Sequence, residues 1–119
     1  RVYELFPDLK DIRNRPGGVL SGGQQQMLTI ARGLMGNPKL LILDEPSEGL
    51  APKVVEDLHE QIRELKKSGM SILLAEQNLS FVLSLSDECH IMEKGQIKYS
   101  GTPTALRKNK AIQEEYLTI

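Results

Sequence analysis

Two short stretches of the chain carry residues whose types and spacing suit phosphate chemistry. Asp44 and Glu45 follow the apolar run Leu40 to Leu43. A carboxylate buried without a partner is costly, and a bound cation is the usual remedy. Ligands of open α/β sheets bind beyond the carboxyl ends of the strands, so an acidic pair ending a strand is placed to handle a metal and a phosphate. Consecutive strand-end side chains point different ways; one carboxylate can hold a magnesium-bound water while the other orients an attacking water. The same dipeptide also suits a helix-capping Asp beside a solvated Glu. The second stretch, Ser21-Gly22-Gly23-Gln24, offers a hydroxyl, two unobstructed backbone N–H groups and a helix N-terminus, an arrangement that binds anions such as a terminal phosphate. A plain capped turn has the same composition.

The elements that must position these residues follow from local pattern. Arg1 to Leu9 places Val2, Leu5, Phe6 and Leu9 at helical spacing, interrupted by Pro7, and starts without Met or a capping residue, so it reads as a cut end. Lys10 to Gly18 is polar and basic and reads as an exposed connection. Ser21 with Gln24 three residues on is a capping-box pattern, and Met27, Leu28, Ala31, Leu34 and Met35 form one apolar face, which predicts a helix over 22–35 ended by Gly36-Asn37-Pro38. Lys39 to Leu43 is short and continuously apolar, as a buried parallel strand should be. Pro52, the apolar Val55, Leu58, Ile62 and Leu65, and the closing Lys66-Lys67-Ser68-Gly69 define a second helix. Met70 to Ala75 repeats the buried-strand pattern. The result is a βαβ unit with both strand ends on one edge, which sets Glu76-Gln77 beside Asp44-Glu45. A short helix over 80–86, a hairpin of 89–93 and 96–100 around Lys94-Gly95, and a last helical region capped by Thr102-Pro103 and running towards Tyr116 complete the chain.

In order and spacing, Leu20-Ser21-Gly22-Gly23-Gln24, Leu40 to Pro46 and Ser47-Glu48-Gly49-Leu50 resemble the signature motif, Walker B strand and D-loop of ATP-binding-cassette (ABC) ATPases. The resemblance covers essentially the whole chain. It implies an α/β fold: part of a P-loop NTPase core with a parallel βαβ unit, a carboxy-terminal hairpin and helices, with 1–36 ending a helical subdomain and 37–119 belonging to the catalytic core. It also implies that Ser21, Gly22, Gly23 and Gln24 bind the γ-phosphate of ATP held by the opposite subunit of a dimer. Asp44 would support Mg²⁺ through its water shell, and Glu45 would act as base or orienting group. Gln77 stands where many cassettes have a γ-phosphate-sensing histidine; its amide can donate a hydrogen bond but carries no positive charge at any pH. Glu76-Gln77-Asn78, Pro46 to Pro52 and Glu115-Tyr116-Leu117 look like the ATPase subunits of branched-chain amino acid importers, with urea-type and amide-type importers similar. The partners so implied are a second ABC ATPase subunit and transmembrane permease subunits, with the ATPase on the cytoplasmic face of the membrane.

The chain contains no Gly-Lys dipeptide and so lacks the phosphate-binding loop. By itself it is expected to show no ATP turnover. The strand that carries that loop in the family lies between the Gln77 and Cys89 strands, so a gap in the sheet and an exposed edge covered by a partner are expected. His59 reads as a solvated residue and Cys89 and His90 as packing residues; Gln25 and Gln26 extend the signature helix, and Lys10, Arg13 and Arg15 form a solvated basic face. Fifteen basic against sixteen acidic residues set up no field that would recruit nucleic acid. A single cysteine makes no internal disulfide, and no apolar run approaches the about 20 residues of a membrane span. Two rival readings accompany the importer: a soluble ABC ATPase of DNA repair or translation, and a non-catalytic interaction module.

Overall fold

The computed structural model describes residues 1–117, which form two compact units, Arg1–Gln77 and Asn78 onward. In the first unit, the opening segment folds as two short helices, α1 (Val2–Leu5) and α2 (Pro7–Asp11), with Pro7 at the first helical position of α2. Proline fits there because that N–H has no intrahelical acceptor. Phe6, between them, is fully buried, and Leu9 and Ile12 join it in the interior. The basic connection is thus anchored at Ile12 before it becomes exposed. A 3-10 turn, Gly17–Val19, leads into α3 (Gly22–Met35).

Helix α3 starts in a complete capping box: the Gln24 amide donates to Ser21 Oγ at 3.2 Å, and the Ser21 amide donates to Gln24 Oε1 at 3.1 Å. Its buried face is Gly23, Met27, Ile30 and Ala31. This corrects the expected face at one edge: Ile30 is buried while Met35 is 76% exposed. At about 100° per residue Met35 falls at the margin of a stripe centred near Met27, whereas Ile30 falls inside it. Asn37, with φ of 51°, ends the helix in a left-handed turn, a conformation that asparagine tolerates.

Strand β1 (Leu40–Asp44) pairs in parallel with β2 (Ser71–Ala75), in the register Leu40↔Ser71 to Asp44↔Ala75, and α4 (Pro52–Lys67) connects them. Helix α4 begins at Pro52 and buries Leu58, Ile62 and Leu65, as its spacing predicts. Helix α3 packs on α4, and α1 touches both. The strands depart from expectation. Leu41 and Leu43 are buried, but Leu40, Ile42 and Leu73 are 50%, 65% and 57% exposed. Ile42 and Leu73 are partners in register, so they share a face with Leu40 and Asp44. The continuous apolar run predicted burial on both faces; the structure covers one.

The second unit comprises α5 (Leu79–Leu85), the antiparallel hairpin β3 (Cys89–Glu93) and β4 (Gln96–Gly101), α6 (Pro103–Lys108) and α7 (Lys110–Tyr116). Lys94 and Gly95 turn the hairpin with φ of 49° and 78°, the two positive values a tight two-residue hairpin turn requires. Leu83, Cys89, Ile91 and Leu106 form the core, with Tyr99, Ile112, Tyr116 and Leu117 packed against it. The last helical region is two helices, divided at Asn109, whose side chain accepts from the Ile112 amide and caps α7. Among the described residues β2 and β3 do not pair; each belongs to its own two-stranded sheet.

Candidate functional site

The parallel register brings the ends of β1 and β2 together, so Asp44, Glu45 and Gln77 meet at one edge as the sequence predicted. The ladder runs one residue past the strands: the Glu45 amide donates to the Ala75 carbonyl at 2.7 Å. Glu45 then turns left-handed, with φ of 45°. A residue before proline ordinarily takes extended backbone, so this conformation departs from the local preference, and Pro46 itself is fully buried. The chain continues as a turn in which the Glu48 amide donates to the Glu45 carbonyl at 3.1 Å and the Leu50 amide to the Ser47 carbonyl at 3.3 Å. Gly49, with φ of 72°, supplies the left-handed residue this turn needs.

The carboxylates differ in setting. Asp44 lies on the open face of the sheet and is exposed, which corrects the premise of a buried carboxylate, while Glu45 is half-buried. The Glu48 carboxyl, by hydrogen bonding and then by its charge, raises the Glu45 pKa above the usual carboxylate value; burial and Asp44 add to this, and the Gln77 amide opposes it by donating towards the carboxylate. A carboxylate so placed holds a proton more firmly than an isolated one, which suits a base or water-orienting group.

Among the described residues no group of three or more His, Cys, Asp or Glu side chains forms a metal cage. Mg²⁺ does not require such a cage, because it keeps several waters and takes one or two carboxylates together with substrate phosphates. Asp44 presents one exposed carboxylate at the strand end.

The signature turn forms a second cluster. Its capping box uses the amides of Ser21 and Gln24, whereas helix geometry gives the first-turn amides of Gly22 and Gly23 no internal acceptor. The two glycines are not equivalent. A Cβ on Gly22 would meet Leu50 Cδ2 at 3.6 Å, an ordinary contact, but a Cβ on Gly23 would lie 2.4 Å from Val54 Cγ1. Gly23 is buried and Gly22 exposed. Gly22 is thus the glycine open to a ligand, and Gly23 is also demanded by the packing of α3 on α4. Gln25 does more than extend the helix, since its Nε2 donates to the Gly17 carbonyl at 3.2 Å.

With this geometry described, comparison with known proteins is decisive. A family model described as ABC transporter matches residues 4–48. The chain is 44% identical over 117 residues to the high-affinity branched-chain amino acid transport ATP-binding protein BraG of Pseudomonas aeruginosa, covering 98% of this chain and 50% of BraG. It is 38% identical over 111 residues to BraF of the same organism, covering 92% of this chain and 44% of that one. Among solved structures, the ADP conformation of MJ1267, an ATP-binding cassette of an ABC transporter, superposes with a TM-score of 0.84 at 33% identity, over 99% of this chain and 48% of that one.

The chain belongs to the ABC ATP-binding cassettes. It spans about half the length of the curated relatives it matches. No helix among the described residues of this cassette segment is long and apolar enough to cross a membrane.

Sequence reasoning missed two contacts of the site. The Ser47 amide donates to Glu76 Oε1 at 2.9 Å across 29 positions, and Gly23 closes on Val54. The two histidines differ from expectation. His59 is half-buried, and its pKa is lowered by burial first and by Arg63 second. His90 is exposed, and instead of packing it pairs through Nδ1 with Ser100 Oγ at 2.7 Å and through Nε2 with Glu88 at 3.3 Å.

Proposed function

We propose that this chain is the carboxy-terminal part of the ATP-hydrolysing subunit of an ABC importer for branched-chain amino acids. The observation that carries the reading is Glu45, fixed in a left-handed turn at the end of β1, next to Asp44 and facing Gln77 across the parallel pair. Glu45 accepts a proton from, or orients, the water that attacks the γ-phosphate. Gln77 holds the Glu45 carboxylate by donation without contributing charge. Asp44 would hold Mg²⁺ through its water shell, and the ion would supply charge neutralisation on the phosphates. Ser21, Gly22, Gly23 and Gln24 serve ATP bound by the other subunit of a dimer, with Gly22 the exposed glycine of the pair. The subunit works on the cytoplasmic side of the membrane, attached through permease subunits. The branched-chain amino acid assignment is supported by the printed functions of BraG and BraF.

The test uses the full-length subunit. Glu45→Gln is expected to abolish turnover while leaving ATP binding within about twofold, because the amide keeps the shape and removes the base; removing such a group costs on the order of 10²-fold or more. Unchanged turnover would remove Glu45 from this role. Reconstituted with permease and binding protein, hydrolysis should rise with leucine, isoleucine or valine, and stimulation by urea or an amide alone would reassign the substrate.

A further inference from the structure

We infer that Glu76 is a positioning residue for Glu45, acting through the backbone of the turn that follows β1. The inference rests on the hydrolytic role proposed for Glu45. The sheet ladder ends with the Glu45 amide on the Ala75 carbonyl. The next residue is Pro46, which has no N–H to give. Ser47 therefore holds the first backbone donor beyond Glu45 that can tie the turn to β2, and β2 has no further strand carbonyl opposite it. Glu76 fills this position with a side chain: its Oε1 accepts the Ser47 amide at 2.9 Å in a part-buried setting. Glu45 is thus held on both sides, by Ala75 at its own amide and by Glu76 two residues on.

This second tie matters because Glu45 sits at φ of 45°. A glutamate in the left-handed region stays there only when its surroundings over-determine it. Without the Ser47 tie, Glu45 can relax towards extended backbone, which swings its carboxylate away from the water it must orient. The same tie reaches the signature cluster, because the turn that starts at Ser47 ends at Leu50, whose Cδ2 faces Gly22. The partner required of residue 76 is an acceptor oxygen. Negative charge is secondary.

The experiment compares Glu76→Ala, which deletes the acceptor, with Glu76→Gln, which keeps a carbonyl oxygen at the same reach. In this chain, amide hydrogen exchange at Ser47 should accelerate roughly ten- to hundredfold in Glu76→Ala, the scale of a lost hydrogen bond to a carboxylate, and by clearly less in Glu76→Gln, which keeps a neutral acceptor. In the full-length subunit, Glu76→Ala should lower kcat about tenfold, below the on the order of 10²-fold cost of a full 1 Å misplacement, with KM for ATP within about twofold. Glu76→Gln should restore most of that loss. Unchanged kcat in Glu76→Ala overturns the inference, as does a Glu76→Gln defect equal to that of Glu76→Ala, or a KM that rises in step with the fall in kcat. Melting temperatures of both variants separate a positioning defect from loss of the fold. If the wild-type subunit itself shows no turnover, the hydrolytic reading falls, and the positioning role falls with it even where Ser47 exchange reports the tie. If turnover is present but Ser47 exchange does not respond, the positioning inference alone fails.

Discussion

Gly23→Ala tests whether packing, independently of any nucleotide, dictates the second signature glycine. The added methyl would stand 2.4 Å from Val54 Cγ1, 3.4 Å from Cγ2 and 3.5 Å from Cβ, against an optimum of about 3.5–4.0 Å for carbon pairs. Val54 cannot swing clear cheaply, because a β-branched side chain in a helix keeps one χ1 rotamer about 90% of the time. Over-packing of this kind costs about 1–3 kcal/mol. Replacing glycine by alanine in a helix returns at most about 1 kcal/mol, and less in the first turn. The net is a loss of about 1–2 kcal/mol, or roughly 5–10 °C in Tm for a domain of this size. Gly22→Ala is the internal control: its methyl meets Leu50 at 3.6 Å, so Tm should hold or rise. Thermal melts of wild type, Gly23→Ala, Val54→Ala and the double variant form a cycle, in which the double variant should recover most of the loss. A Gly23→Ala protein that melts at or above wild type, or a coupling below about 0.5 kcal/mol, would refute the reasoning.

Two further outcomes follow from the same geometry. Ser21→Ala removes the capping-box acceptor from the Gln24 amide and should cost about 1 kcal/mol by denaturant unfolding, while Ser21→Asp, which can still cap, should not. Glu48→Ala removes both the hydrogen bond and the charge that most raise the Glu45 pKa, so carboxyl-carbon NMR should show Glu45 titrating at lower pH. The sign for stability is fixed: a carboxyl that holds its proton more tightly when folded favours the fold at low pH and loses that contribution as pH rises through the window above the ordinary carboxylate value. Glu48→Ala should therefore raise the unfolding midpoint at neutral pH relative to its value in acid.

The features legible in the sequence were those governed by neighbours along the chain. The bounds of α3, its capping box, Pro52 at the start of α4 and the Lys94-Gly95 turn all depend on residues within a few positions of one another. The meeting of Asp44, Glu45 and Gln77 was legible for a different reason, since a parallel βαβ unit aligns both strand ends by topology. Burial was less legible. A run such as Leu40 to Leu43 reports that a strand is apolar but not which of its faces is covered, and Ile42 and Leu73 lie exposed. Contacts between distant segments left no local mark: nothing in Glu76 announces Ser47, and nothing in Gly23 announces Val54. Proline at position 46 was the one available hint, because it deprives the turn of a donor that some other group must replace.

The left-handed backbone at Glu45 also bears on how this protein responds to engineering. Asparagine or glycine would relax that conformation and recover on the order of 1 kcal/mol, so a screen that scores only thermal tolerance should enrich substitutions at the residue proposed to serve hydrolysis. Under the proposed role, stability and turnover are set against each other at one position, and a thermally hardened version of the subunit should be checked first for an intact Glu45.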